Sequence, residues 1–498
     1  MTTQSNTDVV KDLHPERVWR FFAGLADTPR CSKKEEKVRA HLKQLAKELG
    51  FAAKEDRVGN IVIEVPATKG HENAPIVVLQ GHADMVCEKN SGTQHDFDND
   101  PIKLIVGKDA DTGRIIVHAD GTTLGADNGI GIALALAAAT DPDVVHGPLE
   151  LLCTIDEEMG MTGADALTPD FFKGRRLLNL DSEEDNAIYI GCAGGCDTNM
   201  AWTLAADKPD AALQAIRVSV SGLRGGHSGG DIHENRGNAI KCLVATLSRC
   251  ETDGLQLAQL SGGSKRNAIP REASAIVVGP SGAIEALRKT AQEVRQVVAE
   301  EHAEPGAAIS VDPANASDAT AVCSASDTQT LLDALLAVPS GVLGMSTKVP
   351  GLVQTSNNLS TLTTEIGSKS LKVLVGCLTR SSSDAWKNAV ARQLAAIGRL
   401  SGAKVESDSG YPGWEPNPDS YLLKTCSETY KRLFSEDPNV TAIHAGLECG
   451  IIGDRIGDID TISFGPTITG AHSPDELVYV DAVEKSWEFL KAVLAELA

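Results

Sequence analysis

An α/β sandwich interrupted by a smaller α+β insert is the fold class this sequence predicts, and three observations carry it. Short apolar runs without polar alternation, PIVVLQ (75–80), PLELLCTI (148–155) and RLLNLD (176–181), read as strands buried on both faces, as in a helix-covered parallel sheet. Helical patterns alternate with them. After residue 195 the texture changes to alternating strands, and apolar α/β patterns return from residue 415. A chain of 498 residues with 42% hydrophobic content is too long for one simple domain. The expected division is a first domain over 1–197 and 411–498, and an insert over 198–410.

The segment HPERVWRFFAGLADTPRCSKKEEKVRAHLKQLAKELGF reads as helices. Ser32 is the expected N-cap of the second, with Glu35 as its capping-box partner. Val38, Leu42, Leu45 and Leu49 then recur at helical spacing. A short strand, NIVIEV (60–65), and the run PIVVLQ follow. LGADNGIGIALALAAAT (124–140) is a Gly-rich turn opening an Ala/Leu-rich helix, and PLELLCTI and RLLNLD are further buried strands. In the insert, LQAIRVSVSG (213–222) and SAIVVGP (274–280) alternate as half-buried strands do. AIEALRKTAQEVRQVVAEEH (283–302) is helical. LKVLVGCLTRSSS (371–383), the helix AWKNAVARQLAAIGRLSG (385–402) and the strand AKVESDSG (403–410) complete it. YLLKTCSETYKRLF (421–434) and DTISFGP (460–466) supply a helix and a strand to the first domain.

Formal charge is -22, from 68 acidic against 46 basic residues, which argues against a nucleic-acid partner because such binding neutralises phosphates with Lys and Arg. No apolar run approaches the roughly 20 residues of a membrane span. The beginning MTTQSNTDVVKDLH lacks the basic and apolar regions of a secretion signal, so a cytoplasmic location is expected. Eleven cysteines without a metal-type CxxC pair are expected to be mostly reduced core thiols. Cys87, Cys153 and Cys449 lie near the motifs below.

Five acid- or His-bearing motifs sit at strand ends or in the loops after them, where ligands gather in α/β sheets. In Gly81-His82-Ala83-Asp84, residues two apart on an extended segment point the same way. His82 can therefore bind a metal while Asp84 takes its other ring nitrogen. Asp127 opens a helix in Gly125-Ala126-Asp127-Asn128-Gly129, where capping is the simpler role. Asp156-Glu157-Glu158 leaves a buried strand, and three adjacent carboxylates repel one another unless something positive sits among them. Asp181 ends RLLNLD, and His472 lies in the Gly/Pro-rich GPTITGAHSPDE (465–476). Each alone is explicable as a cap, a turn or a solvated charge. Together they suit two zinc-like ions with N and O ligands.

The order His82, Asp127, Glu157-Glu158, Asp181, His472 resembles the M20 family of metallopeptidases, over nearly the whole chain. GHSGGDIHENRGNA (226–239), GGSKRNAIPREA (262–273), HAGLECG (444–450) and GAHSPDE (470–476) resemble its aminoacyl-histidine dipeptidase branch. The resemblance implies a zinc-peptidase α/β sandwich interrupted by a lid and dimerisation domain. It implies two Zn2+ per subunit, with Co2+ or Mn2+ as possible substitutes. His82 and Asp181 would bind one ion, Glu158 and His472 the other, and Asp127 would bridge both through a residue followed by a cis peptide. Glu157 is the implied general base, Asp84 the partner of His82, and Asp156 has no assigned role beyond a structural one. From the lid, His227 would stabilise an oxyanion in the partner subunit's site. Asn267 and Arg380 would hold the substrate's carboxylate, and Gly446 would offer a backbone contact. His233 and His444 are expected to be structural.

The implied activity is hydrolysis of dipeptides by metal-activated water, with Xaa-His substrates favoured, in a homodimer that binds neither nucleic acid nor membrane. A deacylase or aminoacylase with the same metal core is the enzymatic alternative. A non-catalytic scaffold with a peptidase fold is the other.

Overall fold

The computed structural model describes residues 4–249 and 254–498, and its chain forms two compact units. Among the described residues, the first comprises 4–191, 416–442 and 447–498; the second comprises 192–249, 254–415 and 443–446. The strand Gly194–Ala205 belongs to the second because it pairs along its length with Ser370–Ser381.

In the first unit an eight-stranded sheet runs in the order 52–55, 61–65, 149–154, 77–82, 176–179, 460–463, 187–192 and 439–443. The four strands Leu149–Thr154, Val77–His82, Arg176–Asn179 and Asp460–Ser463 are mutually parallel, and antiparallel strands flank them. Every residue of Val77–His82 and of Leu149–Thr154 is buried, the pattern expected of central parallel strands. Each large apolar side chain buried this way contributes about 1.5–3 kcal/mol. The helix Ala126–Thr140 is buried almost all round, which its Ala, Leu and Gly composition permits. Gly131 lies so close to the Leu180 carbonyl that any side chain would collide with it, so the helix presses onto the strand exit that carries Asp181. A separate four-stranded sheet contains the hairpin Ile468–Thr469 and Leu477–Tyr479. Its connecting loop presents His472.

The second unit is built on a nine-stranded sheet whose pairings are antiparallel. The helices Ala239–Ser248, Ser281–Glu301, Ala325–Ala337 and Asp384–Ser401 supply apolar side chains to a core with Trp202, Leu243, Leu287, Leu331, Leu359 and Leu394.

One sequence expectation is corrected here. The second N-terminal helix spans Glu36–Glu48, and Ser32 does not cap it. Lys33 takes a left-handed φ of 68°, which turns the chain, and the Ser32 hydroxyl donates instead to Asp84 Oδ2 at 2.8 Å. Most described cysteines lie outside disulfides, in line with the expectation, and one bridge joins Cys31 and Cys87 across 56 positions. The other eight described cysteines are buried and outside any disulfide, and Cys250 lies outside the described residues. Among the described residues, no helix is long and apolar enough to cross a membrane.

Candidate metal centre

The parallel register aligns the chemistry of the first unit. His82 lies opposite Thr154 and Gln80 opposite Asn179, so the segments leaving these strands deliver Asp156–Glu158 and Asp181 beside His82. Asp127 enters from the turn that opens the buried helix, and its peptide bond to Asn128 is cis. That turn depends on Gly125, whose φ is 68° and whose missing side chain would lie 2.5 Å from Arg30 Nη2. Glycine is the residue such a conformation and approach require.

Each oxygen of Asp127 faces one histidine. His82 Nε2 lies 3.0 Å from Oδ1 and 3.4 Å from Asp181 Oδ1, while His472 Nε2 lies 3.1 Å from Oδ2 and 2.9 Å from Glu158 Oε2. Two His–carboxylate groups therefore share one aspartate. His82, Asp127 and Glu158 each offer a ligand atom, all within 4.8 Å of one another. Glu158 Oε1 and Asp181 Oδ1 are buried without a hydrogen-bond partner. Buried acceptors left open beside imidazole nitrogens fit divalent cations of the zinc type, so these five residues can hold such ions.

The electrostatics match this grouping. Burial raises the Asp181 carboxyl to about 7 against the pull of His82. Burial opposes charge on Asp127, but hydrogen bonds with His472 and His82 outweigh it and depress its pKa. His472 is raised to about 11 by its bonds to Asp127 and Glu158.

The acidic triplet divides by contact. Asp156 takes a left-handed φ of 56°, accepts from Lys33 and Thr162, and so anchors the strand exit. Glu158 joins the His472 group. The Glu157 carboxylate engages in no hydrogen bond among the described residues, and burial pushes its pKa well above the ordinary glutamate value. Asp84 holds the arrangement together. It lies 3.4 Å from His82 Nδ1, accepts the Glu157 and Glu158 backbone N–H groups at 3.1 and 3.3 Å, and receives the Ser32 hydroxyl. Burial would raise Asp84, but the His82 ring beside it, the Ser32 hydroxyl and the Glu157 N–H bring it down to about 2.

The second unit carries a separate polar cluster. Arg380 lies next to the end of the strand Ser370–Ser381 and is 5% exposed. It donates to the Tyr411 hydroxyl at 3.0 Å and to Ser228 Oγ at 3.4 Å, lies 3.5 Å from His227 Nε2, and has no carboxylate partner among the described residues. His227 Nδ1 accepts the Gly229 and Gly230 N–H groups at 3.3 and 2.9 Å. The neutral ring therefore carries its proton on Nε2. Burial and Arg380 lower the His227 pKa. His444 Nε2 pairs with Ser356 Oγ at 2.7 Å, and burial lowers its pKa to about 3. The Asn267 carbonyl accepts from Ser228 N, its side chain is exposed, and Gly446 lies in the 443–446 segment. His233 is exposed.

Sequence reasoning missed several residues. Glu448 is fully buried, accepts from Gln80 Nε2 at 2.7 Å and Thr154 Oγ1 at 2.6 Å, and is pushed up by burial to about 8. Arg30, Glu476 and Tyr411 were missed as well. Only Glu448 and Glu476 lie inside quoted motifs, HAGLECG and GAHSPDE.

Comparison with known proteins agrees with this geometry. Residues 78–496 match the profile of Peptidase family M20/M25/M40. The chain is 41% identical over 489 residues to the cytosol non-specific dipeptidase of Escherichia coli (strain K12), covering 98% of this chain and 99% of the relative. The crystal structure of aminoacylhistidine dipeptidase from Vibrio alginolyticus is similar at a TM-score of 0.89 and 40% identity, over 98% of each chain. Aminopeptidase PepT from Bacillus cereus shares the fold at a TM-score of 0.62 and 16% identity, over 97% of this chain and 99% of that one.

Proposed function

The chain belongs to peptidase family M20/M25/M40, and from that membership we propose that it is a dipeptidase operating with two divalent cations, zinc foremost. The observation that carries the reading is the pair of His–carboxylate groups meeting on the two oxygens of Asp127. His82, Asp181 and Asp127 would hold one ion, and Glu158, His472 and Asp127 the other. When bound, such a pair supplies Lewis acidity to a carbonyl and acidity to water.

The protein's own groups do the rest. Glu157 takes the proton of the attacking water and passes it to the leaving amine, a role that its uncommitted carboxylate and raised pKa suit. Asp84 fixes the tautomer and orientation of His82 and holds the backbone of both glutamates. By the resemblance, Arg380 would bind the free carboxylate of the substrate. Buried and without an acid of its own, its planar fork is available for bidentate pairing. By the same resemblance, Asn267 would help hold that carboxylate and Gly446 would offer a backbone contact near the substrate. His227, neutral with its proton on Nε2, donates to the oxyanion of the tetrahedral intermediate. In the resemblance it does so across a homodimer interface, and we extend that to this chain, with a cytoplasmic location.

A requirement for a free carboxylate close to the scissile bond makes dipeptides the substrates, and Xaa-His pairs are included among them. A panel of Xaa-His, Xaa-Leu and Gly-Gly dipeptides beside N-acyl amino acids, run with and without chelator, tests this. Dipeptide turnover abolished by chelator and restored by zinc is expected. Turnover of N-acyl amino acids alone would make the chain a deacylase, and neither metal uptake nor hydrolysis would make it a scaffold.

A further inference from the structure

The turn that carries Asp127 is held from two sides by residues whose described hydrogen bonds go to backbone and to none of the five candidate ligands' side chains. Four successive backbone N–H groups converge on the Glu476 carboxylate. Leu124 and Gly125 donate to Oε2 at 2.7 and 2.9 Å, and Ala126 and Asp127 donate to Oε1 at 2.7 and 3.3 Å. Glu476 is 2% exposed and forms no ion pair among the described residues. Converging amides of this kind satisfy both oxygens of a buried carboxylate with backbone donors alone, against burial that raises its pKa. On the opposite side, the buried guanidinium of Arg30 donates to the Gly125 carbonyl, and also to the carbonyls of Asp84 (2.8 Å) and Ala83 (3.3 Å) in the His82 segment. The residue between the two is thus gripped by its N–H and by its C=O.

Glu476 also belongs to the loop of His472. Its backbone N–H bonds to the Ser473 carbonyl at 3.1 Å, and Ser473 N–H bonds back to Gly470 at 3.2 Å, so the four-residue step from His472 to Glu476 is a closed turn. Two ligand-bearing segments some 350 positions apart are joined by one carboxylate.

We propose that Glu476 is a positioning residue of the metal centre: by gathering the N–H groups of residues 124–127, it locks the His472 loop to the Asp127 turn, so that both ligands meet the metal as a preformed unit. The proposal rests on the two-cation reading above. The glutamine isostere would present an NH2 group to two of the four donors, leaving buried N–H groups without acceptors. Aspartate keeps the charge but is one methylene shorter.

Zinc affinity measured by competition with a chromophoric chelator, and the visible spectrum of the Co2+-loaded protein, separate positioning from mere folding support. Glu476→Gln is expected to weaken zinc binding about 10- to 100-fold, as loss of a partner outside the ligand set does, and to shift the cobalt bands. Glu476→Asp should recover part of both. Val493→Ala, a core change in the first unit, should lower stability while leaving affinity and spectrum as they were. Unchanged zinc affinity and an unchanged cobalt spectrum in Glu476→Gln overturn the proposal. Should that variant fail to fold, Arg30→Lys probes the other grip on the Gly125 peptide: weaker zinc binding supports the proposal, and wild-type affinity overturns it. A wild-type protein that takes up neither zinc nor cobalt would refute the two-cation reading itself, a different result from variants that bind as the wild type does.

Discussion

At the scale of single residues, Glu157 and Glu158 are adjacent yet differently placed, one with its carboxylate uncommitted and one facing His472. Glu157→Gln should therefore keep its metal content while kcat falls about 10²- to 10⁴-fold, the usual weight of a positioned general base. Metal analysis beside steady-state kinetics checks both, and undiminished turnover would remove Glu157 from that role. His444 gives a pH dependence of defined sign. Its folded pKa of about 3 lies below the ordinary histidine value, so the unfolded chain takes up the proton first as the medium is acidified. Stability is therefore full above the unfolded value near 6.5 and falls as pH drops from there toward 3. Denaturant titrations at pH 7 and pH 4.5 should show a smaller acid-side loss in His444→Gln than in the wild type.

Among the elements, the Cys31–Cys87 bridge ties the segment bearing Arg30 and Ser32 to the loop just beyond Asp84. The same stretches exchange backbone bonds, Met85 N–H to the Arg30 carbonyl at 3.0 Å and Ser32 N–H to the Met85 carbonyl at 3.3 Å. Closing a loop of that length is worth about 4 kcal/mol in the chain-entropy picture. Reductant should lower the melting temperature and expose two more titratable thiols, and equal thiol counts before and after reduction would mean that no bridge had formed. The elements also show what was legible in the sequence. Unbroken apolar runs reveal the parallel strands because burial on both faces leaves no polar alternation, and His82, Glu158 and Asp181 stand out because each ends or closely follows such a run. Ser32 was misread as a cap because its partner, Asp84, is 52 positions away. Glu476 and the disulfide were invisible for the same reason, since their partners are 352 and 56 positions distant and no local pattern records them.

For the whole molecule, the strongest test of the proposed homodimer is complementation. His227→Ala and Glu157→Gln proteins, each weakly active, should regain activity when unfolded and refolded together, since a mixed dimer has one site with both groups intact. Mixed dimers isolated by two different affinity tags and found inactive would confine His227 to its own subunit. The composition of the first unit from three stretches of chain has a further consequence, which concerns synthesis. Its central strand Asp460–Ser463 lies between Arg176–Asn179 and Ala187–Cys192, but the ribosome makes it after the second unit's main stretch, residues 192–415. At about 5–20 residues per second, the two strands wait on the order of tens of seconds for their neighbour. During that interval the strand edges that pair with Asp460–Ser463 in the folded protein lack their partner, which only the last part of the message supplies.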